Sequence, residues 1–199
     1  ITCPPLFTHQ YSQAFVDFRD QRDAYADYFL NSRLATLAQR RMCMDMGGEF
    51  PEYGPDMWGL TSSDGPDGYK AWGGPPRTQN PAIDGIVVPS APGGSVPFAP
   101  EECIAALKAM HERYGDRVWK KYGFVDAFNP HTGWTSPRVI GIDAGIMMLM
   151  VENQRSGLIW NRFMSNPEIA RAMRRAGFVS KKTPLSDEDR AYLEELARD

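Results

Sequence analysis

The sequence predicts an all-α fold of helical hairpins, and three observations support that prediction. Apolar residues recur at intervals of three or four in most segments outside residues 47–98. These segments are joined alternately by short turns and by two long irregular stretches, as in helices that run up and down. Residues 144–151 of a late segment are apolar on every side, which is typical of a helix surrounded by protein.

Length and charge favour a single domain, residues 1–199, and exclude some partners. The chain of 199 residues is 42% hydrophobic, which is enough for one sizeable core. Because the net charge is −3 and no basic stripe is present, nucleic acid is not a predicted partner. The longest uncharged apolar run, residues 144–151, is too short to span a membrane.

The cysteines and the start of the chain give weaker signals. Cys3, Cys43 and Cys103 form neither a CxxC pair nor a zinc-ligand spacing. Cys43 and Cys103 are expected to be packed thiols, with at most one disulfide in the chain as the alternative. The sequence shows no signal-peptide pattern and begins with Ile1 rather than Met, so we expect a processed form or a fragment.

Helical spacing predicts the first two helices. The first is marked by Phe7, Tyr11, Ala14, Phe15 and Phe18. The second covers "DYFLNSRLATLAQRRMCM", residues 27–44, and ends before Gly47. Its apolar side is made of Phe29, Leu30, Leu34, Leu37 and Ala38. We expect this side to face the core.

Later helices carry their own start signals. Pro100 opens a helix over 100–114, with two glutamates near the positive end of its dipole. A short helix is predicted over 116–122, and the apolar helix over 141–156 is followed by helices over 158–164 and 166–177. Asn166 is the expected N-cap of the last of these. Residues 178–199 are predicted to form a polar tail helix.

Residues 47–98 differ from the rest of the chain. They hold nine of the 16 prolines and eleven of the 18 glycines. That density excludes regular elements other than short strands, such as "GIVVPS" within 83–98. The aromatic residues in this stretch argue against disorder, so it is predicted to be a long functional loop on a rim.

Loop lengths indicate which residues share that rim. If the helices alternate in direction, both long loops lie at the end where the first, third and late apolar helices begin. Chemistry-bearing residues gathered there are His9, Gln10, Tyr11, Trp58, Asp64, Asp67, Tyr69, Trp72, Glu101, Trp134 and Asp143. Acids, amides and aromatic rings are therefore expected to converge at one end of a helical stack.

The acidic residues of this set each allow two interpretations. Asp143 is either a stabilising residue of the first helical turn or a carboxylate whose pKa is retuned at the mouth of a cavity. Asp64 and Asp67 in "DGPDG" are either turn formers or substrate contacts, and their spacing does not fit an EF-hand. Glu101 either complements the helix dipole or reaches the pocket. No metal site is predicted.

Aromatic residues in the long loops favour a saccharide ligand. Trp58, Trp72 and Trp134 either anchor irregular backbone or stack on sugar rings, whose hydroxyls pair with Asp, Asn, Gln and His side chains. The sequence contains no P-loop, no GxGxxG motif and no GxSxG elbow. A nucleotide cofactor and serine nucleophile chemistry are therefore not predicted, and we expect no cofactor.

Six segments, in order, resemble the bacterial glycoamylase-like glycoside hydrolases, which include endo-β-1,2-glucanases. They are "PLFTHQYSQAFVDFRD", "YFLNSRLATLAQR", "WGLTSSDGPDGYKAWGG", "VVPSAPGGSVPFAPEECIAAL", "YGFVDAFNP" and "VIGIDAGIMMLMVENQRSGLIWNRFM". The resemblance implies an (α/α)6 toroid, of which this chain would be the C-terminal half with three hairpins. It also implies that Asp143, Glu101 and the "SDGPDGY" loop line the pocket. At position 144, where the family pattern implies a larger residue, this chain has Ala144.

The resemblance implies a glycoside hydrolase acting on a glucan, with β-1,2 linkage and an inverting route. Asp143 would be the base, and the acid would be Glu101 or a residue of the missing N-terminal half. A non-catalytic carbohydrate-binding or scaffold domain, or a transglycosylase domain, remains open. Expected partners are an oligo- or polysaccharide and the missing half, or a second copy, covering the apolar helix. A periplasmic or secreted location is implied by the resemblance alone.

Overall fold

The computed structural model describes residues 5–77 and 79–182. The prediction of a mostly helical protein is confirmed. The helices are α1 (Phe7–Phe15), α2 (Tyr28–Asp45), α3 (Ser90–Gly93), α4 (Pro100–Tyr114), α5 (Gly141–Ser156), α6 (Leu158–Met164) and α7 (Pro167–Arg175). Asn166 caps α7 through the N–H of Glu168, as predicted. None of the described helices is both long enough and apolar enough to cross a membrane.

Three small antiparallel pairs of strands accompany these helices. They are β1 (Gln21–Arg22) with β6 (Val179–Ser180), β2 (Ser62–Ser63) with β3 (Lys70–Ala71), and β4 (Trp119–Lys120) with β5 (Gly123–Phe124). The tail-helix prediction for residues 178–199 is wrong at β6, and residues 183–199 lie outside the described part of the chain.

The predicted helix over residues 116–122 is wrong. A 3₁₀ turn, Gly115–Arg117, leads instead into the β4–β5 hairpin. Gly123 has φ of 111°, a conformation that fits a glycine turn and not a helix. The rings of Trp119 and Phe124 pack edge to face across the pair with centroids 4.8 Å apart, and this contact favours the hairpin.

The second helix buries a mainly polar set of residues, and of the predicted apolar side only Phe29 and Leu37 pack partly buried against the core. The buried residues of α2 are Ser32, Thr36, Gln39 and Cys43. Leu30 and Leu34 of the apolar side are instead 48% and 57% exposed. The reason is hydrogen bonding: Gln39 exchanges two bonds of 2.8 Å with the backbone of Leu60. A polar side chain therefore replaces a backbone partner that irregular chain needs.

The proline- and glycine-rich stretch supplies much of the core. Its buried hydrophobic residues are Tyr53, Met57, Trp58, Leu60, Trp72, Ile83, Ile86, Val87, Val88, Ala91, Val96 and Phe98. α3 lies within it and contacts both α4 and α5. The strand expected within 83–98 appears only as an isolated bridge between Val87 and Phe128. Residues 47–98 are therefore mainly a packing element, and only part of them reaches a surface cavity.

The apolar helix α5 is covered on one side by the described residues. Ile146, Met150 and Asn153 are buried, whereas Ile142 and Met148 are 61% and 67% exposed. Asn153 fixes the buried side, because its Nδ2 donates to Ala14 O at 2.8 Å and its Oδ1 accepts from an N–H of α6. Residues 5–77 and 79–182 thus leave the other face of α5 open.

Candidate active site

A cavity of about 290 Å³ gathers four separate parts of the chain. It is lined by Phe7, Tyr11, Ser62, Ser63, Tyr69, Asp126, Ile140, Ile142 and Asp143. These residues come from α1, the β2–β3 hairpin, the long loop after β5 and the start of α5. The predicted convergence is confirmed for both long loops and for the starts of α1 and α5. The start of α4 does not line the cavity.

Asp143 lies in the first turn of α5 without capping it. The N-cap position is Ile140, and no side chain caps this helix. The Asp143 carboxylate instead accepts a hydrogen bond of 3.2 Å from Ser90 Oγ, and its acidic neighbour at the cavity wall is Asp126. Burial raises the pKa of Asp143, and the negative charge of Asp64 raises it further. These contacts favour the cavity interpretation of Asp143 over that of a helix cap.

Asp126 is the acidic neighbour that the sequence analysis missed. It is 1% exposed, and its Oδ2 accepts from the N–H of Asp64 at 2.6 Å. Burial raises the pKa of Asp126 to about 7, and the nearby Asp143 charge contributes. Two neighbouring carboxyl groups titrate as a pair, because the charge of one disfavours ionisation of the other. The available signal was that Asp126 stands between the apolar residues Val125 and Ala127. An ionisable residue in an apolar segment is a candidate for a functional site.

Asp64 supports the site from behind. It is 6% exposed and accepts two bonds, of 2.9 and 2.8 Å, from the Arg138 guanidinium. Ser136 Oγ donates a third bond of 3.1 Å to the same carboxylate. The Asp64 side chain therefore forms an internal ion pair instead of the predicted substrate contact. Its backbone N–H holds the Asp126 carboxyl. Within residues 5–77 and 79–182, no group of three or more His, Cys, Asp or Glu side chains is arranged to hold a metal ion.

Two tyrosines lie at the cavity as predicted. Tyr11 Oη donates to the carbonyl of Ile142 at 3.2 Å, and burial, together with the Asp143 charge, raises the pKa of Tyr11 to about 12. Tyr69 is 69% exposed, so its ring is available to a ligand. The cavity wall therefore combines aromatic rings with carboxyl groups.

The amide and imidazole predicted beside Tyr11 point elsewhere. Gln10 is fully buried, and its Nε2 donates to Ala91 O at 2.8 Å and to Ser95 Oγ at 2.9 Å. It thereby anchors α3 to α1. His9 is 8% exposed and lines a second cavity, between α1 and α2, rather than the one that contains Asp143. Neither residue lies where the predicted sugar contact would be made.

The prediction for Trp58 and Trp72 is wrong. Both indoles are 0% exposed in the hydrophobic core, so neither offers a face to a sugar. Trp134 packs partly buried against the same core. The Asp67 side chain is 85% exposed, and Glu101 is exposed in the first turn of α4. These last three residues do not line the cavity, and their proposed roles stay predictions.

Most of the chain matches one protein family. The family model for glycoamylase matches residues 1–167. The chain belongs to the glycoamylase family. An exo-β-1,2-glucooligosaccharide sophorohydrolase of Parabacteroides distasonis is 34% identical over 171 residues, which are 86% of this chain and 23% of that protein. The family prediction made from the six sequence segments is thus confirmed.

Solved structures agree with this assignment. An endo-β-1,2-glucanase from Chitinophaga pinensis, in complex with sophorotriose and glucose, shares 35% identity at a TM-score of 0.83 over 89% of this chain and 41% of its own. A β-1,2-glucanase from Parabacteroides distasonis shares 33% identity at a TM-score of 0.81 over 87% and 24%, respectively. This glycoamylase-family chain therefore spans less than half the length of these relatives.

Proposed function

We propose that this chain contributes the base side of the active site of a β-1,2-glucan hydrolase, with Asp143 as the general base. The observation that carries the proposal is the position of Asp143, a carboxylate at the wall of a 290 Å³ cavity, oriented by Ser90 and Asp126. Burial raises the pKa of Asp143, which makes its carboxylate a stronger base than that of an exposed aspartate. The similarity to two β-1,2-glucanases supports the choice of substrate.

In an inverting hydrolysis, the Asp143 carboxylate takes a proton from water while the water oxygen attacks the anomeric carbon. The departing sugar oxygen receives its proton from a carboxylic acid on the opposite face. The two carboxyl groups are then about 6.5–9.5 Å apart, which leaves room for the water. Asp126 is an immediate neighbour of Asp143 on the same cavity wall, and we therefore do not assign it as that acid.

The acid must come from another part of the protein. Glu101 is exposed and does not line the cavity, which disfavours it. We favour an acidic residue in the part of the relatives' length that this chain does not span. In this proposal the chain forms about half of an (α/α)6 toroid. Tyr69 and Phe7, at the cavity wall, would contact the sugar rings.

The test is replacement of Asp143 in the protein at its natural length. We expect Asp143→Asn to lower kcat on linear β-1,2-glucan by about 10²–10⁴-fold, because the amide cannot accept the proton. Asp45→Asn, at an exposed ion pair on α2, is the matched control and should keep full activity. Near-normal turnover of Asp143→Asn would refute the assignment.

Two further readings complete this test. Proton NMR of the first products reports the anomer that forms, and retention of the β configuration would refute the inverting route. Binding of sophorotriose by the unmodified protein without release of any sugar would instead support a non-catalytic carbohydrate-binding domain. Longer or cyclic products would support a transglycosylase.

A further inference from the structure

The buried carboxyl of Asp126 is satisfied at one oxygen only. Its Oδ2 accepts from the Asp64 N–H at 2.6 Å, whereas Oδ1 has no donor among the described residues. Asp126 is 1% exposed, so it has little contact with bulk water. The remaining neighbour is the Asp143 carboxylate, which is itself an acceptor when ionised. A proton shared by the two carboxyl groups gives each of them a hydrogen-bond partner.

The charges around this pair do not replace the proton. Asp64, which faces Asp126, is negative and is neutralised by the Arg138 guanidinium, whose Nε and Nη2 donate to the Asp64 oxygens. Asp143 receives one neutral donor, Ser90 Oγ, and faces the Tyr11 phenol, which donates to a backbone carbonyl. The arrangement thus places a third carboxylate, that of Asp64, beside two carboxyl groups that repel each other when both are ionised.

We propose that Asp126 is a positioning residue, which stays protonated and donates a hydrogen bond to the Asp143 carboxylate. The inference rests on the proposed role of Asp143 as the base. Ser90 and Asp126 hold that carboxylate through two neutral donors, so its orientation is fixed while its charge is kept. Burial raises the pKa of Asp126 to about 7, which agrees with a bound proton.

This arrangement predicts a limit to activity on the alkaline side. As pH rises through about 7, Asp126 loses its proton and two adjacent carboxylates repel each other. Asp143 then loses the donor that orients it, so kcat falls even though the base itself remains ionised. The fall at high pH is therefore assigned to Asp126 and not to the general acid alone.

The decisive variant is Asp126→Asn in the protein at its natural length. The amide keeps the shape, since Nδ2 can donate to Asp143 and Oδ1 can accept from the Asp64 N–H. We expect kcat at pH 6 within about threefold of the unmodified protein and an alkaline limb at least about one pH unit higher. Asp126→Ala removes the donor and should lower kcat at least about tenfold with KM little changed. Asp45→Asn, at an exposed carboxylate, should change neither property.

The outcomes separate this inference from the proposed function. An unshifted alkaline limb in Asp126→Asn, or full activity in Asp126→Ala, would overturn the positioning role. Carbon-13 NMR of labelled aspartate carboxyl groups gives a readout besides activity: one group should titrate near pH 7, and Asp126→Asn should abolish that titration. Its absence in the unmodified protein would also overturn the inference. A protein that shows this titration but does not hydrolyse β-1,2-glucan would refute the proposed function alone.

Discussion

Gln39 of α2 is expected to be one of the most sensitive polar residues of the fold. Its Nε2 donates to Leu60 O and its Oε1 accepts from Leu60 N–H, each at 2.8 Å. Both residues are 0% exposed. Leu60 stands two residues before β2, whose serines line the cavity. The side-chain amide thus does for the loop what a neighbouring strand does in a sheet.

The replacement Gln39→Met keeps the unbranched shape of the side chain and removes both bonds. Each buried backbone group left without a partner costs about 1–3 kcal/mol, and two groups are affected. Burying a thioether instead of an amide offsets part of this cost. We expect a loss of about 3 kcal/mol in the free energy of unfolding, which corresponds to a fall in Tm of about 6–12 °C.

The assay is urea unfolding followed by tryptophan fluorescence, with calorimetry for Tm. Gln154→Met on α5 is the matched control, because the same atoms are exchanged at an exposed position. This control should stay within about 0.5 kcal/mol of the unmodified protein. If Gln39→Met were equally stable, the amide would not be the partner of the Leu60 backbone, and the explanation for the polar face of α2 would fail.

Two further predictions concern pH and the open face of α5. Because the folded-state pKa of Asp126 is raised from 3.8 to about 7, the native protein binds more protons than the unfolded chain between these values. The free energy of unfolding should therefore fall as pH rises from 4 to 7, and the urea midpoint of Asp126→Asn should show a flatter dependence. Met148→Lys should destabilise the natural-length protein by about 3 kcal/mol if further chain covers α5. An unchanged urea midpoint would show that Met148 stays exposed.

Local signals in the sequence were sufficient for the start of α4 and for the end of α5. Pro100 begins α4 as predicted, and Gly157, with φ of 68°, ends α5 at the predicted residue. The buried face of α2 could not be predicted in this way. The burial of Gln39 depends on hydrogen bonds to a backbone segment 21 residues away in the sequence, and a helical wheel contains no information about such bonds.

The site residues also differ in how far local sequence signals could predict them. Asp143 was a candidate because an aspartate opens an apolar helix, and the family resemblance favoured a place at the pocket over a role in the first helical turn. For Asp126 the sequence carried only the signal of an aspartate between apolar residues, because its partner Asp64 lies 62 residues earlier in irregular chain. Trp58 and Trp72 failed for a related reason: glycine-rich composition predicted surface loops, but the stretch that contains them folds inward and forms the core.

Two observations of different kinds indicate where the site must be completed. The proposed inverting route requires a carboxylic acid about 6.5–9.5 Å from Asp143, a role that we do not assign to its immediate neighbour Asp126. The packing leaves Ile142, in the first turn of α5 and at the wall of the same cavity, 61% exposed. An apolar wall beside a reacting carboxylate excludes water only when a second surface closes over it. The chain spans 41% of the Chitinophaga pinensis glucanase. One additional surface, from the part of that length not spanned here, would supply both the acid and the cover.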